Sequence, residues 1–174
     1  MASVSVTQPT KFEVFDDVLP KNSFMELQRR LLTPDFPWYF NLGVSTPNYS
    51  LENALDFQFT HTFYNNYSPT SPHIEVLSPL ISYINPSAIV RIKANLNPIS
   101  PEQVESGYHV DFDFVCKTAV FYLTTNNGYT KFKTGEVVES VENRLLVFDS
   151  QSLHTGSTCT DTSVRALINL NYFK

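Results

Sequence analysis

From residue 88 to residue 173 the chain alternates apolar and polar side chains with a period of two, in short runs broken by turn-forming residues. A period of two sends successive side chains to opposite faces of an extended strand. Strands are expected at 88–96, 107–111, 118–124, 129–132, 136–141, 144–149, 153–156 and 164–173. Asn127 and Gly128 form the dipeptide that favours a hairpin turn, and Glu142 to Arg144 is a weaker turn signal. Eight short strands in succession argue for a β-sandwich or jelly roll.

The preceding residues supply support for that core. A short strand is expected at 11–15 and another at 57–64. Residues 20–32 read as a helix with Phe24, Leu27 and Leu31 on one face. A second helix is expected at 72–84, with Ser71 as its cap and Pro72 in its first turn. Ile74, Leu77, Ile81 and Ile84 form its apolar stripe, and Pro79 inside it predicts a kink or break. Residues 33–51, rich in Pro, Asn and aromatics, are expected to be irregular with a short strand. The fold class is mainly β with supporting α, the helices packing on one sheet. One domain over 1–174 is expected, with a helical support region at about 16–86 and a β-core at about 88–174.

The two faces of these strands differ in chemistry. In 164–173, Ala166, Ile168, Leu170 and Tyr172 oppose Arg165, Leu167, Asn169 and Asn171. In 88–96, Val90, Ile92, Ala94 and Leu96 oppose Arg91, Lys93 and Asn95. In 118–124, Ala119, Phe121 and Leu123 oppose Thr118, Val120, Tyr122 and Thr124. If the apolar faces lie under the helices, polar groups point into the sandwich. That is costly unless they hold a polar ligand, so a cavity is expected. On pattern alone the reverse stays open, with polar faces toward solvent.

Within this frame His109 and Asp111 stand two residues apart and leave one face of a strand. His154 ends a later strand that can lie beside theirs, and Arg165 follows on the next. Two histidines and a carboxylate can occupy one face of an octahedral Fe(II) and leave the other positions open. An arginine buried in a sandwich needs an anionic partner. The plainer readings are a loop histidine at 154 and a surface ion pair at Arg165. Asp113 is expected in an outer position or in solvent. His61 and His73 lack acidic or cysteine neighbours at ligand spacing and read as structural.

Composition narrows the function classes. The net charge of −5 and pI near 5.3 argue against nucleic-acid binding by phosphate attraction. No apolar run approaches a membrane span. The first fifteen residues lack the basic start and apolar stretch of a secretory signal. Two cysteines, Cys116 and Cys159, are too few for a disulfide framework, so a reduced, cytoplasmic protein is expected (host cytoplasm if viral), with one bridge between them left open. Five glycines make no phosphate loop, no cysteine pair fits zinc, and no nucleophile sits in a recognisable setting.

The stretch from Gly107 to Tyr172 contains the His-x-Asp, "FYLTTNNGYTKF", "RLLVFDSQSLHTG" and an arginine about ten residues beyond the distal histidine. In that order and spacing it resembles the Fe(II)- and 2-oxoglutarate-dependent dioxygenases. Within them it is most similar to the compact prolyl-hydroxylase-like branch and the small enzymes of the kind found in phages. "RIKANLNP" fits that family's first core strand. The resemblance implies a double-stranded β-helix (jelly roll) with the N-terminal helices on the major sheet. It implies catalytic Fe(II) held by His109, Asp111 and His154, with 2-oxoglutarate and O2 as co-substrates and ascorbate admitted as an accessory. Arg165 would hold the C5 carboxylate of 2-oxoglutarate. Tyr122 matches the family tyrosine that also bonds this group, Thr130 is a second candidate, and Asn95 would face the C1 end. The reaction implied is hydroxylation of a protein, peptide or small molecule coupled to release of succinate and CO2, with peptidyl proline as a family-level substrate.

The chain departs from the family pattern at Gly128, a single glycine where many relatives have two, and at Tyr108, which adjoins His109 and receives no cofactor role. Two other readings stay open: a non-catalytic jelly roll that binds a ligand or serves structure, and a cupin-like metal enzyme without 2-oxoglutarate. A buried Arg165 beside the metal favours 2-oxoglutarate; an exposed one favours the others.

Overall fold

The computed structural model describes residues 10–42 and 57–174. The expectations for residues 1–9 and for 43–51 lie outside the described residues. Strands β1 (Phe12–Phe15), β2 (Tyr39–Leu42), β3 (Phe57–Asn65), β4 (Ser68–Pro69) and β5 (Ala88–Pro98) alternate with helix α1 (Lys21–Leu31) and with a 3₁₀ helix (Pro72–Leu77) running into α2 (Ser78–Ile84). Then follow β6 (Lys117–Tyr122), β7 (Tyr129–Phe132), β8 (Val137–Glu139), β9 (Leu145–Asp149), β10 (His154–Gly156) and β11 (Val164–Phe173).

These strands form two antiparallel sheets. The major sheet runs β1-β9-β6-β11-β5-β3-β2, with β4 beside β3, and the minor sheet runs β10-β7-β8. Strand β11 is central and pairs along its length with β5 and from Leu167 to Tyr172 with β6. This is the expected mainly-β architecture.

One face of the major sheet carries the core. Phe24, Leu27 and Leu31 of α1, with Leu77 and Leu80, pack on Ile92, Ala94, Ala119, Phe121, Ala166, Ile168 and Leu170. Of the expected apolar stripe of the second helix, Leu77 is fully buried, while Ile74, Ile81 and Ile84 only border the core; Leu80, outside that stripe, is fully buried as well. The expected break falls at Leu77/Ser78, because Pro79 lacks the N–H that a continuing helix needs and so opens a new one. The Ser71 hydroxyl accepts from the His73 N–H at 3.1 Å, as a cap should.

Two local expectations need correction. Residues 107–111 form no strand; isolated bridges, Glu105 to Ser157 and His109 to His154, and backbone bonds from the Ser106 N–H to the Gly156 carbonyl and from the Asp111 N–H to the Ser150 carbonyl attach this segment to β10 and its flanks. Asn127 and Gly128 close no hairpin, since β6 lies in the major sheet and β7 in the minor. Their turn carries the chain from one sheet to the other. The hairpin turn stands instead between β7 and β8, where Gly135 adopts a φ of 110° that side chains disfavour. Residues 142–144 also connect two sheets. There Asn143 has φ 61°, and its amide donates to the Leu19 carbonyl at 2.8 Å and accepts from the Leu19 N–H at 2.9 Å, fixing the chain just before α1. Cys116 and Cys159 are both free and buried, which closes the question of a bridge.

His61 and His73 lie outside the sandwich interior. The His61 ring bridges the Pro37 carbonyl and the Ser71 hydroxyl, each at 2.7 Å, and stacks loosely on Phe36 and Phe63. Among the described residues no helix is long and apolar enough to cross a membrane.

Phe121 is fully buried beneath α1, its ring centroid 6.0 Å from that of Phe24. Phe121→Ala is expected to cost about 3–5 kcal/mol, read as a lower urea midpoint with an unchanged slope. Burial, opposed by the Pro37 carbonyl, lowers the pKa of His61 below its ordinary value. The unfolded chain therefore takes up a proton that the folded chain resists as pH falls through ~6.5. Stability present above that pH is expected to decline toward pH 5.5, and the decline should be smaller in His61→Gln, measured by urea unfolding at both pH values.

Candidate functional site

The other face of β5, β11 and β6 looks toward the minor sheet, and the space between is divided. Toward β9 it is filled by a second apolar cluster of Val120, Tyr122, Phe132, Val138, Leu146, Phe148 and Leu167. Toward β5 it opens into a cavity of about 240 Å³ whose wall includes Arg91, Lys93, Asn95, Asn97, Asn169 and Arg165. The interior is therefore neither a solid core nor a uniformly polar one. Alternation places polar residues inward, as expected, except where β6 contributes Val120 and Tyr122 and β11 contributes Leu167.

His109, Asp111 and His154 meet at this cavity. Ligand atoms from all three lie within 4.8 Å of one another. The bridge between the segment at 109 and β10 brings the histidines together: His109 N–H donates to the His154 carbonyl, and His154 N–H to the His109 carbonyl, both at 3.0 Å. Each ring is oriented by its own neighbour. Nδ1 of His109 lies 3.1 Å from the Gly107 carbonyl, and Nδ1 of His154 lies 2.9 Å from the Ser152 carbonyl. A carbonyl only accepts, so each Nδ1 carries the proton and each Nε2 keeps a free lone pair. This is how metal-binding imidazoles are usually prepared. Burial, against the attraction of Asp111, holds His154 below its ordinary pKa and so in the neutral form a metal requires.

Asp111 is held by four side chains. Its Oδ1 accepts from Arg91 at 3.0 Å and from Asn169 at 3.4 Å; its Oδ2 accepts from Thr118 at 2.7 Å and from Asn171 at 3.1 Å. Burial alone would raise its pKa, but His154, Arg91, Thr118 and Asn171 together keep it below the usual carboxylate range. Arg91 is in turn fixed by Asn171 at 3.1 Å and by the Phe112 ring, 4.9 Å away. Asp113 is exposed, with its backbone carbonyl bound to Gln151.

Arg165 is 3% exposed. Its Nε donates to the Ser140 hydroxyl at 2.8 Å and one terminal nitrogen to Thr130 Oγ1 at 3.3 Å. The Tyr122 hydroxyl also donates to Thr130, at 2.8 Å, and the guanidinium stands 5.7 Å from the Tyr122 ring centroid. No carboxylate among the described residues pairs with Arg165. Burial pulls its pKa down from the ordinary value, the signature of a desolvated cation without a counter-ion. Thr130 and Asn95 line the cavity with it, whereas Tyr122 lies behind Thr130 in the apolar cluster.

Several residues that support the site were not among the sequence candidates for it. Asn169, Asn171, Arg91 and Lys93 share the inward faces already recognised, so their period-two positions were the available signal. Ser140 carried none. Among the described residues Lys93 has no hydrogen-bond or ion-pair partner, and burial together with the Arg91 charge lowers its pKa to about 8. The Oδ1 atoms of Asn95 and Asn169 are buried without a partner.

No protein-family profile matches the sequence, and no curated protein matches it. Solved structures with the same fold do. A prolyl hydroxylase from Trichoplax adhaerens, in complex with a peptide fragment of the hypoxia-inducible factor oxygen degradation domain, superposes with a TM-score of 0.67 at 16% identity, over 93% of this chain and 83% of that one. A Pseudomonas putida prolyl-4-hydroxylase gives 0.57 at 13% identity, over 95% and 94%. The non-heme α-ketoglutarate-dependent carbocyclase SnoK of nogalamycin biosynthesis gives 0.64 at 12%, over 94% and 79%. The chain therefore has the jelly-roll fold of the 2-oxoglutarate- and Fe(II)-dependent oxygenases.

The Arg165 site depends on an absent side chain. A Cβ on Gly128 would lie 2.5 Å from Arg165 Cδ and 2.8 Å from Asn126 Oδ1, and one on Gly156 would lie 3.3 Å from an Arg165 terminal nitrogen. Gly128→Ala is expected to lower stability by about 1–3 kcal/mol through overpacking of this buried side chain, read from denaturant unfolding.

Proposed function

We propose that residues 1–174 form one Fe(II)- and 2-oxoglutarate-dependent oxygenase domain that hydroxylates a substrate. The observation that carries this reading is Arg165, a buried cation without a carboxylate partner, in the same cavity as two prepared imidazoles and a carboxylate. A metal site alone would suit many proteins; a metal site that shares its cavity with a buried arginine unpaired among the described residues suits 2-oxoglutarate.

The donor set fits Fe(II). His109 and His154 would offer Nε2 and Asp111 a carboxylate oxygen, with Oδ1 the more available because its Asn169 contact is long. Arg165 would bind the C5 carboxylate with the N–H groups that Ser140 and Thr130 leave unused, and Thr130 would add its own hydroxyl proton. Tyr122 would act through Thr130 by holding its hydroxyl in place. Asn95 would stand near the C1 end. When bound, iron and 2-oxoglutarate would supply the oxidising chemistry, with release of succinate and CO2. The protein's part is to fix the ligands, neutralise the far carboxylate and keep bulk water from a half-enclosed site. Peptidyl proline is one substrate this reading admits, and ascorbate one accessory.

Calorimetry with Mn(II) in place of Fe(II) tests the assignment. Wild-type protein should bind 2-oxoglutarate only when metal is present. Asp111→Ala should abolish metal-dependent binding. Arg165→Ala should weaken 2-oxoglutarate binding by about 100-fold or more while retaining Mn(II), since a charge-assisted contact is worth ~1.5–3 kcal/mol and its loss leaves a desolvated carboxylate. Binding unchanged in both variants would reject the oxygenase reading.

A further inference from the structure

The cavity holds more positive charge than iron and 2-oxoglutarate would use. Arg91, Lys93 and Arg165 face a single carboxylate, Asp111. On the reading above, Asp111 and the C1 carboxylate match the two charges of the metal, and the C5 carboxylate matches Arg165. Arg91 and Lys93 are then both in excess, but Arg91 stays hydrogen-bonded to Asp111 at 3.0 Å and to Asn171 at 3.1 Å. Lys93 alone of the three has no hydrogen bond or ion pair among the described residues. It lies on β5 directly across from Asn169 of β11, beside the metal ligands and on the major sheet. Arg165, by contrast, turns toward β7 and β10 of the minor sheet, against Thr130 and Gly156. The two cations thus serve opposite walls.

A second unmatched group stands beside Lys93. The Asn169 amide is oriented by Asp111, because its Nδ2 donates to that carboxylate. Its free, buried Oδ1 is therefore an acceptor awaiting a donor. 2-Oxoglutarate as a dianion has no N–H or O–H to give. The pair therefore calls for a molecule that presents an anionic group and a hydrogen-bond donor on neighbouring atoms. The cavity, at about 240 Å³ before any co-substrate enters, lies below the usual ~300–1,000 Å³ of ligand sites and suits a compact molecule.

We infer that the substrate oxidised at this site is a small free carboxylic acid with an adjacent N–H or O–H donor, an amino or hydroxy acid, whose carboxylate is bound by Lys93 and whose donor is bound by Asn169. This rests on the oxygenase reading. It separates a free acid from a peptidyl residue, which has an amide where the acid has its charge. The depressed pKa of Lys93 is what an ammonium without its anion should show, and burial is its main cause.

The test uses full-length protein loaded with Mn(II) and 2-oxoglutarate. Free L-amino, L-imino and L-hydroxy acids of three to six carbons are titrated by calorimetry, alongside their primary amides and N-acetylated peptide amides with and without glutamate. At least one acid should bind at least tenfold more tightly than its amide and than either peptide. Lys93→Met should remove that preference, Lys93→Arg should retain most of it, and 2-oxoglutarate affinity should stay within about twofold in both, which also reports that they fold. The inference is overturned if no acid binds while 2-oxoglutarate does, if amides or peptides bind equally well, if the preference survives in Lys93→Met, or if Lys93→Met weakens 2-oxoglutarate instead. Failure of wild-type protein to bind 2-oxoglutarate would reject the underlying oxygenase reading.

Discussion

The placement of β11 between β5 and β6 is the constraint on which the rest depends. Its ten residues, Val164–Phe173, pair with β5 throughout and with β6 from Leu167 to Tyr172, so every second side chain is committed to one of two environments. Ala166, Ile168 and Leu170 enter the helix-covered core, and Arg165, Leu167, Asn169 and Asn171 face the other way. A slip of one residue would exchange these sets, burying a guanidinium among leucines. The hydrophobic contact with α1 and the polar contact with Asp111 therefore enforce the same register. Stability and site geometry are two results of a single pairing.

The site is built by dividing labour between the sheets. The major sheet supplies the polar support that orients Asp111, through Arg91, Thr118, Asn169 and Asn171. The minor sheet supplies His154 and the hydroxyl of Thr130. Arg165 crosses from one to the other, and only the small residues at 128 and 156 let it lie there. The apolar cluster around Phe132 and Phe148 holds the sheets together on one side, and the His154 ring packs against Phe148 at 4.8 Å. The position of the histidine is thus set by hydrophobic packing as well as by hydrogen bonds.

Much of this was legible in the chain because alternation is a local record of a non-local arrangement. Residues 88–96 and 164–173 announced both their strand state and their inward faces, and His109, Asp111, His154 and Arg165 fall at one cavity. What was not legible depended on partners distant in sequence. "GYHVDFDF" alternates like a strand, yet only His109 finds a full bridge partner, so no ladder extends through it. Asn127-Gly128 has the chemistry of a tight turn, but a turn does not state whether its flanking strands share a sheet. The hydroxyl of Ser140 reaches Arg165 from across the sandwich, and nothing near residue 140 foretells it. Helix 72–84 was divided by Pro79 as its ring chemistry requires, though the first half became 3₁₀.

The segment bearing His109 and Asp111 is joined to β10 by two isolated bridges rather than by a ladder. Backbone bonds from Ser106 to Gly156 and from Asp111 to Ser150, and the four side chains that hold Asp111, add to that attachment, but the segment has no continuous ladder such as β11 has. An ion bound by His109, Asp111 and His154 would act there as a removable cross-link, closing the long loop between the two histidines much as a disulfide closes one. The order of the 105–111 segment would then depend on metal supply as well as on these hydrogen bonds. A chelator would loosen one edge of the minor sheet and leave the eight-stranded sheet intact.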